Sequence, residues 1–269
     1  MRPVRILAWS PIARLIAGFV VTSLALTACG DRAADVQRFA IDRSQAVTFP
    51  SSDGVKLSGR LFGSEDATAG VVLSHMLPAD QTSWWEEAAR LGDAGYLVLT
   101  FDFRGYCPGG DAGCSAGTKD PSAAWQDVQG AVEELRSRGA TRVALLGASM
   151  GGTASLVVAG QPDADIEAVG TLSAPASIEG MTVTPELLQA ATAAKLFVAG
   201  NGDTGPAADA QSFYDLSSQP KRLEIVPSND HGTDLLEGNQ SENVRNLLQT
   251  WLEQYLPVEL DQTQASDQG

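Results

Sequence analysis

Six stretches of the chain carry apolar runs: AGVVLSH (69–75), YLVLTFDF (96–103), RVALLGAS (142–149), AVGTLSAP (168–175), KLFVAGNGD (195–203) and KRLEIVPS (221–228). Short apolar runs of this kind predict strands buried on both faces of a parallel sheet. A different pattern precedes them. In AVTFPSSDGVKLSGRLFG (46–63) apolar and polar residues alternate on either side of Ser-Asp-Gly, which predicts a hairpin. Between the strands lie helical patterns: SWWEEAARLGDAG, SAAWQDVQGAVEELRSRG, GGTASLVVAGQ, ADAQSFYDLSS and NVRNLLQTWLEQYL. In the second of these, Trp125, Val128, Val132 and Leu135 recur at helical spacing and turn one stripe toward the sheet. The alternation predicts an α/β fold, a mostly parallel sheet with helices on both faces, over residues 46–256. In such sheets the chemistry gathers beyond the carboxyl ends of the strands.

The two ends break this pattern. Residues 1–28 hold three arginines and no acid, with an uncharged run from Leu15 to Ala28 that is too short to span a bilayer comfortably. The run ends in Leu26-Thr27-Ala28-Cys29, which resembles a bacterial lipobox with Cys29 as the acylated first residue of the mature chain. An ordinary secretory signal with a nearby cysteine is the alternative. Residues 29–45 are expected to tether the lipid to the domain, and the polar tail 257–269 to be disordered. The expected location is extracytoplasmic, with the protein lipid-anchored to a bacterial membrane on its periplasmic or cell-surface side. Without residues 1–28 the chain keeps 15 basic and 33 acidic residues, a formal charge of −18. That balance argues against nucleic acid as a partner, because phosphate backbones reward clustered Lys and Arg. Nothing in the pattern points to a protein partner.

Export also bears on Cys107 and Cys114, which lie in the glycine-rich loop GYCPGGDAGCSAG. A structural disulfide is expected there in an oxidising compartment. A zinc site is the weaker reading, because no third cysteine or histidine is nearby.

The motif with the most chemical content is Gly147-Ala148-Ser149-Met150-Gly151, a G-x-S-x-G placed between a predicted strand and a predicted helix. The serine needs a turn too tight for bulky neighbours, and the helix presents its positive end beneath the reacting carbonyl. On this motif and its context the chain resembles the α/β-hydrolase superfamily, nearest to dienelactone-hydrolase-like proteins and serine-peptidase-type esterases. The resemblance implies a triad in the order Ser, acid, His. Ser149 is the implied nucleophile. Asp203, at the end of KLFVAGNGD, is the implied acid, with Asp209 as a rival in the following helix. His231 is the implied base and the only histidine after the serine. An imidazole titrating near 6.5 can take the serine proton and return it near neutral pH. Asp230 adjoins His231 and is poorly placed to face it.

The resemblance further implies an oxyanion hole made by the backbone N–H groups of Leu77 and Met150. His75 then frames the first of these, although Met76 stands where the superfamily often has glycine. Asp102 and Arg104 match residues that organise loops. Only about 20 residues separate AVGTLSAP from KLFVAGNGD, so the lid is minimal or absent and the site open. Trp84-Trp85 either lines the entrance or packs a helix on the sheet. The expected activity is hydrolysis of small carboxylic esters through an acyl-enzyme, with no metal or organic cofactor. A peptidase or amidase of the same fold is the alternative, as is a hydrolase-fold lipoprotein that binds without turnover.

Overall fold

The structure, a computed structural model, describes residues 38–107 and 114–258. The expected signal sequence, Cys29, most of the expected tether and the tail from 259 onward lie outside the described residues. Two compact units divide at Phe39/Ala40. Of the first, only Arg38 and Phe39 are described, and everything below concerns the second.

The predicted strands form one eight-stranded sheet in the order β1-β2-β4-β3-β5-β6-β9-β10. The strands are β1 (Ser44–Pro50), β2 (Lys56–Phe62), β3 (Ala69–Ser74), β4 (Leu97–Asp102), β5 (Arg142–Ala148), β6 (Ala168–Leu172), β9 (Ala194–Gly200) and β10 (Lys221–Val226). Strand β2 pairs antiparallel with both β1 and β4, and every other pairing in this sheet is parallel. The hairpin expected around Ser-Asp-Gly is the β1–β2 pair. Its first strand starts at Ser44, and Ala40 is already fully buried, so ordered structure reaches into the stretch expected to be tether.

Period-two alternation sorts the strand residues onto two faces. In β5, Val143 and Leu145 join one apolar cluster, whereas Ala144, Leu146 and Ala148 join the other. The first cluster is closed by α2 (Ala124–Ser137), α3 (Met150–Ala159), α4 (Pro185–Ala190) and α5 (Thr204–Leu216). The second is closed by α1 (Trp85–Asp93) and α6 (Ser241–Tyr255). Trp84 and Trp85 are 0% and 1% exposed within this second cluster, which makes them packing residues, not an entrance.

The segment between β6 and β9 holds the short helix α4, as expected, and also a hairpin that local periodicity does not announce. Strands β7 (Ser177–Ile178) and β8 (Met181–Thr182) are joined by Glu179-Gly180. Both turn residues have positive φ, 41° and 93°, the mark of a two-residue hairpin turn in which glycine relieves the second position. This hairpin and α4 are all that stands where a cap would be inserted. Among the described residues no helix is long and apolar enough to cross a membrane.

Candidate active site

Ser149 follows β5 and is the N-cap residue of α3, with φ 47° and ψ −115°, a conformation that side-chain-bearing residues seldom adopt and that surrounding structure must enforce. Its neighbours enforce it by having no Cβ. A Cβ on Gly147 would overlap the Gly151 carbonyl, and one on Gly151 would overlap the carbonyl oxygen of Ser74 at the end of β3. The Ser149 N–H donates to the Leu172 carbonyl at 2.8 Å, tying the turn to β6. Met150 opens α3, so its N–H belongs to the first turn, whose donors have no partner within the helix.

Asp203 follows β9 and is the N-cap residue of α5, yet its side chain does not cap the helix. An N-cap aspartate ordinarily accepts from the backbone of the first turn. Here the carboxylate is turned to His231, with Asp203 Oδ2 2.7 Å from His231 Nδ1. The contact fixes Nδ1 as the protonated nitrogen facing the acid and leaves Nε2 for another partner. The histidine side chain is 38% exposed and the aspartate 16%.

The two rival acids are occupied elsewhere. Asp209 Oδ2 accepts from the Ala176 N–H at 2.9 Å, and Asp230 Oδ2 accepts from the Ser228 hydroxyl at 2.6 Å. Ser149 and His231 are not hydrogen-bonded to each other. What brings their loops together is backbone packing: a Cβ on Gly232 would meet Ala148 Cβ at 3.4 Å, so the residue after the histidine rests on the residue before the serine.

His75, which follows β3, is completely buried. The Phe103 N–H donates to its Nε2 at 3.2 Å, so the ring proton sits on Nδ1 and is donated to the Met76 carbonyl at 2.8 Å. In a trans peptide the carbonyl and the next N–H point in opposite directions. Holding the Met76 carbonyl therefore aims the Leu77 N–H away from His75. The ring is packed edge-on against Phe103 and Tyr106, with centroids 4.8 and 4.9 Å away. Burial drives its pKa down to about 4, against weaker upward pulls from the Met76 carbonyl and Asp80.

A stability consequence follows from the sign of that shift. The unfolded imidazole takes a proton near pH 6.5 and the folded one does not, so this contribution is complete above 6.5 and drains away as pH falls toward 4. Asp102, raised to about 7 by burial against hydrogen bonds from Gln81, acts in the opposite sense. Its contribution is present at low pH and lost as pH rises through 7. His75→Phe removes the first effect alone. It should be less stable than wild type at pH 7 by roughly 1–3 kcal/mol, the cost of unpaired Met76 carbonyl and Phe103 N–H groups. That gap should narrow by about 2 kcal/mol at pH 5, read from urea midpoints.

Asp102 and Arg104 behave as loop organisers. Asp102 accepts from the Gln81 N–H and side-chain amide at 3.0 and 2.5 Å. Arg104 donates to Asp127 from its backbone N–H, Nε and Nη2, and to Asp53 from Nη1 and Nη2. The sulfurs of Cys107 and Cys114 lie at disulfide distance, with Cα atoms 4.2 Å apart. They close a strand-like return in which Gly105 and Ser115 donate to Ala116 and Tyr106. Among the described residues, no group of three or more His, Cys, Asp or Glu is arranged to hold a metal ion.

Position along the sequence missed Gly232. Its φ of 58° and its contact with Met76 set the exit of the histidine loop, and a glycine directly after a candidate base was the available signal.

The fold recurs in solved structures. Esterase Pf2001 of Pyrococcus furiosus superposes with a TM-score of 0.65 at 17% identity, covering 79% of this chain and 90% of that one. Dienelactone hydrolase from Anabaena variabilis gives 0.64 at 23%, covering 80% and 99%. Among curated proteins, the uncharacterized YfhR of Escherichia coli K12 is 26% identical over 214 residues, 70% of this chain and 73% of its own length. The profile of the family described as serine aminopeptidase, S33, matches residues 65–234. That match runs from the strand before His75 through the elbow and both loops to just past His231, and with the shared sheet it makes the chain a member of the serine aminopeptidase S33 family of α/β hydrolases.

Proposed function

We propose that the protein is a serine hydrolase of small carboxylic esters, acting outside the cytoplasm from a lipid anchor at Cys29. The observation that carries the chemistry is the pairing of a strained serine at a strand-to-helix turn with an Asp203–His231 hydrogen bond on the neighbouring loops. In this reading Ser149 Oγ attacks the carbonyl carbon while His231 Nε2 takes its proton. The C–O bond to the alcohol then breaks, and the imidazolium returns the proton to the departing oxygen. Water, deprotonated by the same imidazole, then attacks the acyl carbon; the bond to Ser149 Oγ breaks, the imidazolium returns the proton to that oxygen, and the acid leaves. Asp203 keeps the ring in the required tautomer and stabilises its charged form. The Leu77 and Met150 N–H groups face the carbonyl oxygen as it becomes negative. Serine and histidine draw into hydrogen-bond contact with substrate in place, since catalytic hydrogen bonds often tighten only then. The minimal cover over the site favours short acyl groups that need little burial.

A fluorophosphonate probe tests this directly. Wild type should be labelled and Ser149→Ala should not. Folded wild type left unlabelled would instead favour a scaffold that binds without turnover. The family's description favours a second reading, cleavage of an amide next to a free amine. A series of p-nitrophenyl esters of rising chain length, run beside aminoacyl anilides, separates the two. The ester reading expects turnover to be highest for the acetate or butyrate and negligible for anilides.

A further inference from the structure

We infer that Met76 is a positioning residue for His231, its side chain packed beneath Gly232 so that the histidine loop is held against the serine elbow. The inference rests on the serine-hydrolase reading and adds a residue to it. Met76 is 8% exposed and shares one apolar cluster with Trp84, Ala148, Leu235 and Leu236. A Cβ on Gly232 would stand 2.5 Å from Met76 Sδ and 3.6 Å from Met76 Cβ. The thioether thus occupies the room that a side chain at 232 would need.

Three chain positions meet at this contact: the residue after His75, the residue before Ser149 and the residue after His231. Each side of the contact is anchored independently. The Met76 carbonyl is fixed by His75 Nδ1 at 2.8 Å. Beyond Gly232, Leu235 and Leu236 are buried in the core, and the Asp234 N–H donates to the His231 carbonyl at 3.1 Å. Met76 therefore serves twice, its carbonyl orienting the Leu77 N–H and its side chain setting the height of the imidazole. A methionine suits the second task because an unbranched, polarizable chain fills an irregular gap without imposing a rotamer. The departure from glycine at this position is thereby matched by the bare glycine at 232.

Truncation to alanine leaves a void into which the loop can settle, and a shift of about 1 Å at a catalytic group can cost on the order of 100-fold. For p-nitrophenyl acetate, Met76→Ala should lower kcat by on the order of 10–100-fold while KM stays within about 3-fold. Met76→Leu, similar in volume, should recover most of the loss. Gly232→Ala should be more damaging in the wild-type background than alongside Met76→Ala, because the truncated side chain makes room for the new methyl. Wild-type kcat in Met76→Ala, no recovery by Met76→Leu, or equal damage from Gly232→Ala in both backgrounds would each overturn the inference. The underlying reading fails separately. If wild type and Ser149→Ala hydrolyse the ester alike, the hydrolase assignment falls and this role for Met76 falls with it. If Ser149 is required and Met76→Ala is unimpaired, only the positioning role falls.

Discussion

Replacing His231 by alanine should lower ester turnover by on the order of 10⁶-fold, whereas Asp203→Asn should cost about 10⁴-fold. The ranking follows from what each group does. Without the imidazole no neighbouring base can take the serine proton: His75 is buried, and its ring nitrogens are committed to Met76 and Phe103. Without the carboxylate the base remains but loses the partner that selects its tautomer. Adding His231→Ala to Ser149→Ala should reduce turnover little further, because the two residues act as one unit. Asp209→Asn and Asp230→Asn serve as internal comparisons. Their carboxylates accept from Ala176 and Ser228, so each variant should retain turnover within a few-fold of wild type. Steady-state kinetics on one activated ester decides the matter. A loss in Asp209→Asn or Asp230→Asn equal to that in Asp203→Asn would move the acid to another residue.

The second large effect is on stability. Asp127→Ala should destabilise the protein by about 3–5 kcal/mol, measured by urea unfolding. The Asp127 side chain is fully buried, and that of Arg104 is 8% exposed. Removing the carboxylate leaves the buried Arg104 Nε and backbone N–H without the acceptor that α2 supplied, and leaves the guanidinium only the partly exposed Asp53 as counter-charge. Asp53, the other partner, is 32% exposed, so Asp53→Ala should cost about 1 kcal/mol or less. The Arg104 side chain holds Asp53's carboxyl down to about 2. The buried pair is not itself a source of large net stability. Replacing Arg104 and Asp127 together by Met and Leu should recover much of the loss, because the expensive state is a buried guanidinium that has lost its buried partner. Equal, small effects from Asp53→Ala and Asp127→Ala would show that water reaches the guanidinium from both sides.

These two cases also mark what can be read from residue order. Five of the six apolar runs became strands buried along nearly their whole length, because a strand covered on both faces has no polar side to reveal; KRLEIVPS became the edge strand β10, in which only Val226 is buried. The elbow was legible because its glycines and serine sit at fixed short spacing between an apolar run and a helical pattern, although the contact that forbids a side chain at Gly151 comes from Ser74 on β3. Pairing across long separations left no such trace. Nothing near Arg104 in the chain announces Asp53 or Asp127, which lie 51 and 23 residues away. The sequence already favours Asp203 by its place after KLFVAGNGD, but only the folded chain shows its carboxylate against His231 and those of Asp209 and Asp230 turned to Ala176 and Ser228. The β7–β8 hairpin went unseen because two-residue strands carry no measurable alternation, and only Glu179-Gly180 hinted at it. Trp84-Trp85 left two readings open until burial decided between them.

The far margin of the sheet has a bearing on behaviour in crowded surroundings. Among the described residues, no strand pairs with the outer side of β10, the kind of surface onto which a stray extended peptide can latch. Along its length stand Lys221, Arg222 and Glu224. Any foreign strand settling there would have to lie beside the exposed Arg222–Glu224 ion pair, while Lys221 is held by the Tyr214 and Ser217 carbonyls. Charge along the margin thus works against runaway fibril growth.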